Sequence, residues 1–155
     1  MEKAVSTPVD RQNEKRVTRV SAEALLRLPV KLRGIELGYP IDVVLDPDGR
    51  RALGLVVLCK DDEQRFLPLT VAEIGEEEIG VLSSLALLDE GELDFYRRRA
   101  STMRRLRGTT VRREGKDVGH LEDVIVLRDG SFAELVVANG NGRERLRIDE
   151  AVELS

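Results

Sequence analysis

Aromatic and sulfur-containing side chains are scarce in this chain of 155 residues. It has no tryptophan, aromatic residues make up 3% of the sequence, and Cys59 is its single cysteine. One thiol excludes a disulfide within the chain, and a lone cysteine in an apolar run is usually a small buried side chain. Valine, leucine and isoleucine must therefore fill the core, and their β-branched members favour strands.

Long apolar runs are also missing. The longest, Leu53 to Cys59 and Val81 to Leu88, are far shorter than the roughly 20 residues that span a bilayer. Residues 1–19 are polar and mixed in charge, without an apolar stretch of signal-peptide length. We therefore expect a cytoplasmic protein without direct membrane insertion, and we expect residues 1–19 to form a disordered N-terminal tail.

Residues that usually carry catalysis or hold cofactors are few. His120 is the only histidine, and the sequence has no CxxC, HExxH or glycine-rich phosphate loop. The acidic run Glu76–Glu78 lacks the alternating oxygen ligands of a calcium loop, and the glycines at 140 and 142 do not introduce a helix that could hold a phosphate. We predict no catalytic residue, no cofactor and no metal site, and we interpret the protein as a non-enzyme.

An internal repeat is the most informative pattern that is present. The first half contains Leu32-Arg33-Gly34, Gly38, Asp42-Val43-Val44-Leu45 and Asp48-Gly49, and the second contains Leu106-Arg107-Gly108, Gly119, Asp123-Val124-Ile125-Val126 and Asp129-Gly130. From the second glycine to the Asp-Gly pair the two series keep one offset, whereas the first copy has a shorter connection after its LRG triplet. This agreement in order and spacing predicts two copies of one small module.

Each copy has the pattern of a small antiparallel sheet. An Asp-Gly pair between two β-branched runs is a strong hairpin signal, because glycine accepts the positive φ of a tight turn. Four or five short strands leave exposed edges, and curling the sheet into a barrel removes them. We predict a mainly β fold with two small β-barrel units, residues 20–88 and 106–155. Asp42 and Asp123, at equivalent places, are expected to bond turn amides rather than to catalyse.

A helix is predicted between the two units, in residues 89–105. Four residues recur at helical spacing, namely Leu93, Tyr96, Ala100 and Met103. Asp89 is suited to cap the start, and the acids near the beginning and the arginines near the end suit the helix dipole. The pattern predicts a helix from Glu90 to Arg105. A shorter helix is expected over Ser21 to Leu26, and a helical turn within Val71 to Glu78.

The repeated pattern resembles the PRC-barrel family. The second copy carries it best, with an LRG triplet, Val118-Gly119, Asp123 to Val126 and Asp129-Gly130, followed by an apolar strand and a short final strand. The resemblance covers roughly Leu28 to Leu69 and Met103 to Leu154. It implies a β-barrel adaptor that docks onto a protein or a ribonucleoprotein, since the family includes a part of a photosynthetic reaction-centre subunit and a domain of a ribosome-maturation factor. It brings no catalytic motif with it.

Charge changes sign sharply along the chain. Eleven acids and one basic residue lie between Asp61 and Asp94, and nine basic residues and one acid lie between Arg97 and Lys116. These charges could pair internally, for example Asp94 with Arg98 one turn away. Alternatively, the arginines form a patch for RNA or an acidic protein, because their forked donors suit phosphate and carboxylate groups. The candidate patch comprises Arg97, Arg98, Arg99, Arg104, Arg105, Arg107, Arg112 and Arg113.

Three functional hypotheses follow. The leading one is a non-enzymatic PRC-barrel adaptor that binds a protein partner, and the alternative is an RNA- or ribosome-associated maturation factor that uses residues 97–116. A third is a photosynthetic or membrane-associated accessory protein, which a partner would have to bring to the bilayer. The two units could close within one chain, exchange strands or assemble as a homodimer, because small sheets with exposed edges permit all three.

Overall fold

A computed structural model describes residues 18–48, 50–149 and 152–154. The fold is mainly β, as the sequence predicts, and its strands form two sheets. The expected N-terminal tail lies outside the described residues except for its last two, of which Arg19 begins the first strand.

The elements follow one another as β1 (Arg19–Ser21), α1 (Ala22–Leu25), β2 (Val30–Leu32), β3 (Ile35–Asp46), β4 (Arg51–Cys59), β5 (Gln64–Pro68), β6 (Glu73–Ile74), β7 (Ile79–Val81), α2 (Glu90–Arg99), β8 (Ser101–Thr102), α3 (Met103–Leu106), β9 (Thr110–Arg113), β10 (Lys116–Leu127), β11 (Phe132–Asn139), β12 (Gly142–Arg147) and β13 (Val152–Leu154). The first sheet has the order β5-β4-β3-β2-β7-β6, and β8 also pairs with β3. The second has the order β12-β11-β10-β9-β13, and β1 also pairs with β10.

The two halves exchange short strands. β1 precedes the first sheet in sequence but pairs with the second, where Ser21 lies opposite Ile125. β8 precedes the second sheet but pairs with the first, where Thr102 lies opposite Val44. Ser21 and Thr102 are 81 positions apart, and so are their partners, so the two exchanges are equivalent. Strand exchange between the two halves, one of the arrangements that the sequence permits, is therefore present within the chain.

The same offset shows that the two LRG triplets do not occupy equivalent places. Arg33 and Gly34 form the turn between β2 and β3, with φ values of 50° and 81°. Residues 81 positions further on, Glu114 and Gly115, form the turn between β9 and β10 with φ values of 52° and 78°. The second triplet instead ends α3. The connection after the first triplet is therefore shorter because the two triplets lie at different places in the module, and not because the first copy has lost residues.

The two long strands bend at equivalent β-bulges. The register shifts between Pro40 and Asp42 in β3, and between Leu121 and Asp123 in β10. A glycine precedes each bulge because the neighbouring strand passes too close for a side chain: a Cβ at position 119 would collide with the carbonyl oxygen of Ala138. Gly119 also has a φ of 145°, which disfavours any other residue.

A carboxylate after each bulge bonds the helix exchanged from the other half. The side chain of Asp123, which is only 3% exposed, accepts hydrogen bonds from the backbone N–H groups of Val124 at 2.8 Å and of Glu23, in α1, at 3.2 Å. Asp42 makes the same two bonds, with its following residue at 2.9 Å and with Arg104, in α3, at 3.2 Å. Both carboxylates therefore have the structural role that the sequence predicts, although in each case one amide belongs to the strand and the other to a helix rather than to a turn.

One apolar core, called the joint core below, lies between the two sheets and contains residues of both. Its fully buried members come from both halves and include Val43, Leu55, Leu67, Val124, Leu135 and Val137. Leu25 of α1 and Met103 of α3 are buried in the same cluster, so each exchanged helix contributes to it. A smaller second cluster lies under α2, where Leu93 is buried against Val44 and Phe66.

The helix predicted over Glu90 to Arg105 is shorter than expected. Asp89 caps it as predicted, accepting a hydrogen bond from the Glu92 amide at 3.2 Å, but the helix ends at Arg99. The chain must extend there because Ser101 and Thr102 pair with β3. Met103 consequently packs in the joint core and not in the cluster that holds Leu93.

Of the two shorter helical segments that the sequence predicts, one is confirmed and the other is wrong. The helix expected over Ser21 to Leu26 is α1, and the Ser21 hydroxyl caps it by accepting from Ala24 at 3.0 Å. The helical turn expected within Val71 to Glu78 is wrong, since a 3₁₀ turn ends at Val71 and β6 follows.

Replacing Asp123 with Ala should lower the free energy of unfolding by about 1–3 kcal/mol, because buried amides lose their acceptor. Asp123→Asn keeps an oxygen acceptor and should cost less. Urea denaturation at neutral pH measures both. Asp117→Ala is the control, because Asp117 is exposed on the β9–β10 hairpin and should change stability by no more than about 0.5 kcal/mol. Equal losses in Asp123→Ala and Asp117→Ala would contradict the capping role.

Burial raises the pKa of the Asp123 carboxyl above its ordinary value of 3.8. A raised pKa in the folded state favours the protonated form, so the stabilisation is complete below the unfolded pKa and is lost as the pH rises through the folded pKa. The stability of the wild type relative to Asp123→Asn should therefore fall as the pH rises above about 4 and through the raised pKa of Asp123. Urea denaturation of both proteins across that range tests it, and a constant difference would oppose it.

Candidate binding surfaces

The structure distributes the predicted arginine patch over three successive elements. Arg97 to Arg99 lie at the end of α2, Arg104 and Arg105 lie in α3 with Arg107 just after it, and Arg112 and Arg113 lie in β9. The eight side chains therefore extend from the first sheet, which α2 covers, to the second sheet, which contains β9.

Several of these arginines have partners within the chain. The guanidinium of Arg112 lies 2.9 Å from Asp117, and that of Arg113 lies 3.1 Å from Asp149. Arg107 donates to the carbonyl oxygen of Glu122 at 3.2 Å, and Arg99 lies over the ring of Phe95 at 4.6 Å. These contacts hold four of the eight arginine side chains against the protein's own surface.

Asp94 does not pair with Arg98, the example of internal pairing that the sequence suggests. Asp94 lies 4.0 Å from Arg97 instead, one residue earlier on the helix. Arg97 also donates to the side-chain oxygen of Gln64 in β5 at 2.6 Å, which turns it towards the sheet and leaves Arg98 on the outer side.

Three arginines of the patch remain available. Within residues 18–48, 50–149 and 152–154, the side chains of Arg98, Arg104 and Arg105 make no hydrogen bond or ion pair, and all three are exposed. The backbone amide of Arg104 donates to the Asp42 carboxylate, and that of Arg105 donates to the Thr102 hydroxyl. These bonds fix the start of α3, while the guanidinium groups of both arginines face solvent.

Exposed apolar side chains are distributed very unequally between the two halves. The large apolar residues with exposed side chains are Ile35, Tyr39, Leu58, Val71, Leu82, Leu85 and Phe95. All lie before residue 100, and the described part of the second half has none. At positions equivalent to Ile35 and Tyr39, the second half has Lys116 and His120. The two sheets therefore present surfaces of different chemistry.

The most exposed of these side chains lie in the turn after β7. Leu82 is 83% exposed and Leu85 is 84% exposed. Leu82 also lines a groove of about 440 Å³ together with Val71, Ala72 and Ile74. The polar side chains along the same groove are Arg51, Thr70, Glu73, Arg128 and Asp129. Sequence analysis did not single out these leucines, because they lie in the apolar run Val81 to Leu88, which resembles a core segment.

A second groove, of about 460 Å³, lies between β4, β5 and the turn that follows β7. Cys59 lines it but is only 7% exposed and belongs to the joint core, as its sequence context predicts. At its rim, both oxygens of Asp61 accept from the guanidinium of Arg65, at 2.9 and 2.8 Å. This bidentate bond lowers the pKa of Asp61 to about 2.

A third groove, of about 360 Å³, lies between the β3–β4 turn of the first half and the apolar residues of the second half. Phe132, Leu135 and Ile148 form its apolar wall. The guanidinium of Arg50 crosses over from the first half and donates to two backbone carbonyl oxygens near β13. The guanidinium donors of Arg50 therefore connect the two halves of the chain rather than serve a ligand.

The described residues do not indicate a metal centre. Groups of three or more histidine, cysteine, aspartate or glutamate side chains that could hold a metal ion are absent from these residues. His120 is exposed on β10, opposite Ala138. Among the described helices, none is long and apolar enough to cross a membrane.

Replacing Arg65 with Gln should raise the pKa of Asp61 from about 2 towards its ordinary value of 3.8, because the bidentate bond is lost. An NMR titration that follows the side-chain carboxyl carbon measures this. Arg112→Gln, which removes an ion pair with Asp117 elsewhere, should leave the pKa of Asp61 at about 2. An Asp61 pKa that does not change in Arg65→Gln would contradict the assignment.

No protein-family model matches this chain, and no curated protein matches it significantly.

Proposed function

We propose that the protein is a non-enzymatic, cytoplasmic adaptor of the PRC-barrel type that docks onto a protein partner through its first half. The observation that carries this proposal is the confinement of exposed large apolar side chains to residues 35–95 of the described chain. Exposed apolar surface is costly in water and commonly marks an interaction site.

The difference between the halves supports the proposal. They make equivalent strand exchanges and equivalent carboxylate bonds, which is consistent with duplication of one module. Exposed apolar residues at two positions of the first copy are replaced by Lys116 and His120 in the second. If apolar exposure were needed for folding, both copies should have it. Its restriction to one copy favours a binding role.

Affinity purification of the tagged full-length protein from its own organism tests the adaptor function. The double variant Ile35→Ser with Tyr39→Ser and the double variant Leu82→Ser with Leu85→Ser change the first half. We expect a defined, nuclease-resistant protein partner whose recovery falls about tenfold in at least one of them, a loss of about 1.4 kcal/mol in binding.

The matched control is Lys116→Ser with His120→Ser, which changes the equivalent positions of the second half. This variant should retain the partner. Absence of any enriched protein with the wild type, or equal loss of the partner in the control, would count against the adaptor function.

A second candidate function is RNA or ribosome association, favoured by the available guanidinium groups of Arg98, Arg104 and Arg105. Each neutralised phosphate of a single strand contributes about −0.7 to the slope of log affinity against log salt. Changing all three arginines to Gln should therefore reduce the magnitude of that slope by about 2 for a single-stranded RNA of mixed sequence. Fluorescence anisotropy at several salt concentrations measures it, and an unchanged slope would reject this function.

A further inference from the structure

β12 forms one edge of the second sheet, and its outer main-chain groups have no partner among the described residues. The strand pairs with β11, and Ile148, which directly follows it, donates its N–H to the carbonyl oxygen of Ala133 at 3.2 Å. Main-chain groups alternate in direction along an antiparallel strand. Because the N–H of Ile148 points inward, the N–H and C=O groups of Arg143, Arg145 and Arg147 point outward from the sheet edge.

The equivalent edge of the first sheet is covered by the chain itself. Phe66 in β5 pairs with Val56, and Arg145 in β12 pairs with Val136. Both valines lie opposite the carboxylate that follows a bulge, so Phe66 and Arg145 hold equivalent places. Phe66 donates to the carbonyl oxygen of Leu88 at 2.9 Å and accepts from its N–H at 2.8 Å. The module therefore accepts an extended segment at this edge, and within the described chain that place is open beside β12.

Three arginine side chains lie on one face of the β12 edge. Alternate residues of a strand point to the same side, so Arg143, Arg145 and Arg147 lie together, and all three are exposed. Arg143 lies 3.2 Å from Glu122, and Arg145 lies 3.5 Å from Glu134, which is shared at 3.9 Å with the arginine of β1. Arg147 makes no hydrogen bond or ion pair with another residue that the structure describes. Arginine is therefore in excess on this face of the edge.

This charge pattern disfavours a second copy of β12 as the partner. Two antiparallel edges bond only where an outward-pointing residue of one lies opposite an outward-pointing residue of the other. Because the outward residues of β12 are all arginines, every such register between two copies places arginine opposite arginine. Like charges that lie directly opposite each other destabilise a pair of strands.

The outward main-chain groups favour a peptide over a nucleic acid. The edge offers N–H donors and C=O acceptors in alternation, and an extended polypeptide can bond to both. Phosphate oxygens accept hydrogen bonds and would leave the outward C=O groups of β12 without a partner. Acidic side chains of an added strand would lie directly opposite the arginines, where opposite charges stabilise the pairing.

We infer that the outer edge of β12 binds an extended acidic segment of a partner protein as an additional strand, with aspartate or glutamate at alternate positions opposite Arg143, Arg145 and Arg147. The added strand runs antiparallel to β12, as do the paired strands within the second sheet. The edge consists of other residues than the exposed apolar side chains of the first half. This inference therefore goes beyond the proposed function and does not depend on it.

Fluorescence anisotropy of the full-length protein with two labelled peptides tests the inference. The first peptide alternates threonine and glutamate, and the second has lysine in place of each glutamate. We expect the threonine–glutamate peptide to bind and the threonine–lysine peptide to bind at least about tenfold more weakly. The affinity of the first should fall with added salt, because the arginines are exposed and their attraction is screened.

Two methylated forms of the threonine–glutamate peptide separate strand pairing from charge attraction. Methyl groups on the main-chain nitrogens of the glutamates replace the N–H groups that face β12, whereas methyl groups on the threonine nitrogens replace those that point away from it. Both forms have the same charge. We expect the form methylated at glutamate to bind at least about tenfold more weakly than the form methylated at threonine. Equal binding of the two would assign the edge to anions in general and overturn the inference.

Variants of β12 test the same edge from the protein's side. Arg145→Gln with Arg147→Gln should weaken binding of the threonine–glutamate peptide about three- to tenfold, because two pairs of opposite charges are lost. Arg145→Pro also removes an outward N–H group and should weaken binding more than Arg145→Gln does. Arg112→Gln is the matched control, since it removes an exposed arginine of β9, and it should leave the affinity within about twofold. Urea denaturation checks that each variant keeps its fold.

Three further results would overturn the inference: absence of binding, equal binding of the glutamate and lysine peptides, or equal binding by the wild type and the variant that lacks Arg145 and Arg147. None of these results bears on the adaptor function, which the variants of the first half test separately.

Discussion

The reciprocal pairing of two short segments is the constraint on which the rest of the structure depends. β1 and α1 leave the first half to bond to Asp123 and β10, while β8 and α3 leave the second half to bond to Asp42 and β3. Between the sheets, Ala52 donates to the carbonyl oxygen of Gly130 and Phe132 donates to that of Arg50, so the two hairpin tips are also joined. These bonds bring two small sheets together over one core. Each sheet alone would leave much of its apolar face exposed to water.

The exchange also fixes where the candidate binding surfaces lie. α2 is tied to the first sheet at both ends, by hydrogen bonds between Leu88 and Phe66 and by the pairing of β8 with β3. Tyr96 stacks on Phe66 with a ring separation of 4.3 Å, which closes the outer face of that sheet. The apolar turn after β7 lies before this cover, and the arginine-rich segment lies at its end and beyond. The exposed apolar turn and the arginine-rich segment are therefore separated along the chain by a helix whose position is set at both ends.

Features that depend on neighbouring residues could be predicted from the sequence. They include the mainly β character, the cap at Asp89, the short helix α1 and the structural role of Asp42. The end of α2 could not be predicted, because it depends on pairing with Val44, more than fifty residues earlier. The LRG triplets were misaligned because Gly34 and Gly108 both have positive φ, of 81° and 92°, one in a strand turn and the other after a helix. The exposure of Leu82 and Leu85 was missed because an apolar run alone does not show which of its members face water.

Synthesis of the chain from its N-terminus gives the exchange a temporal consequence. The backbone amide of Glu23 can bond to the Asp123 carboxylate only after 100 further residues have been synthesised, and β1 can pair only after β10 has been synthesised. At translation rates of about 5–20 residues per second, this delay is roughly 5–20 s. During that time α1 has apolar residues without their final neighbours, so the emerging first half is an incomplete folding unit. A ribosome that pauses before β10 would prolong this state. During the pause, a second nascent chain or a chaperone could bind the apolar residues that later pack against the second half.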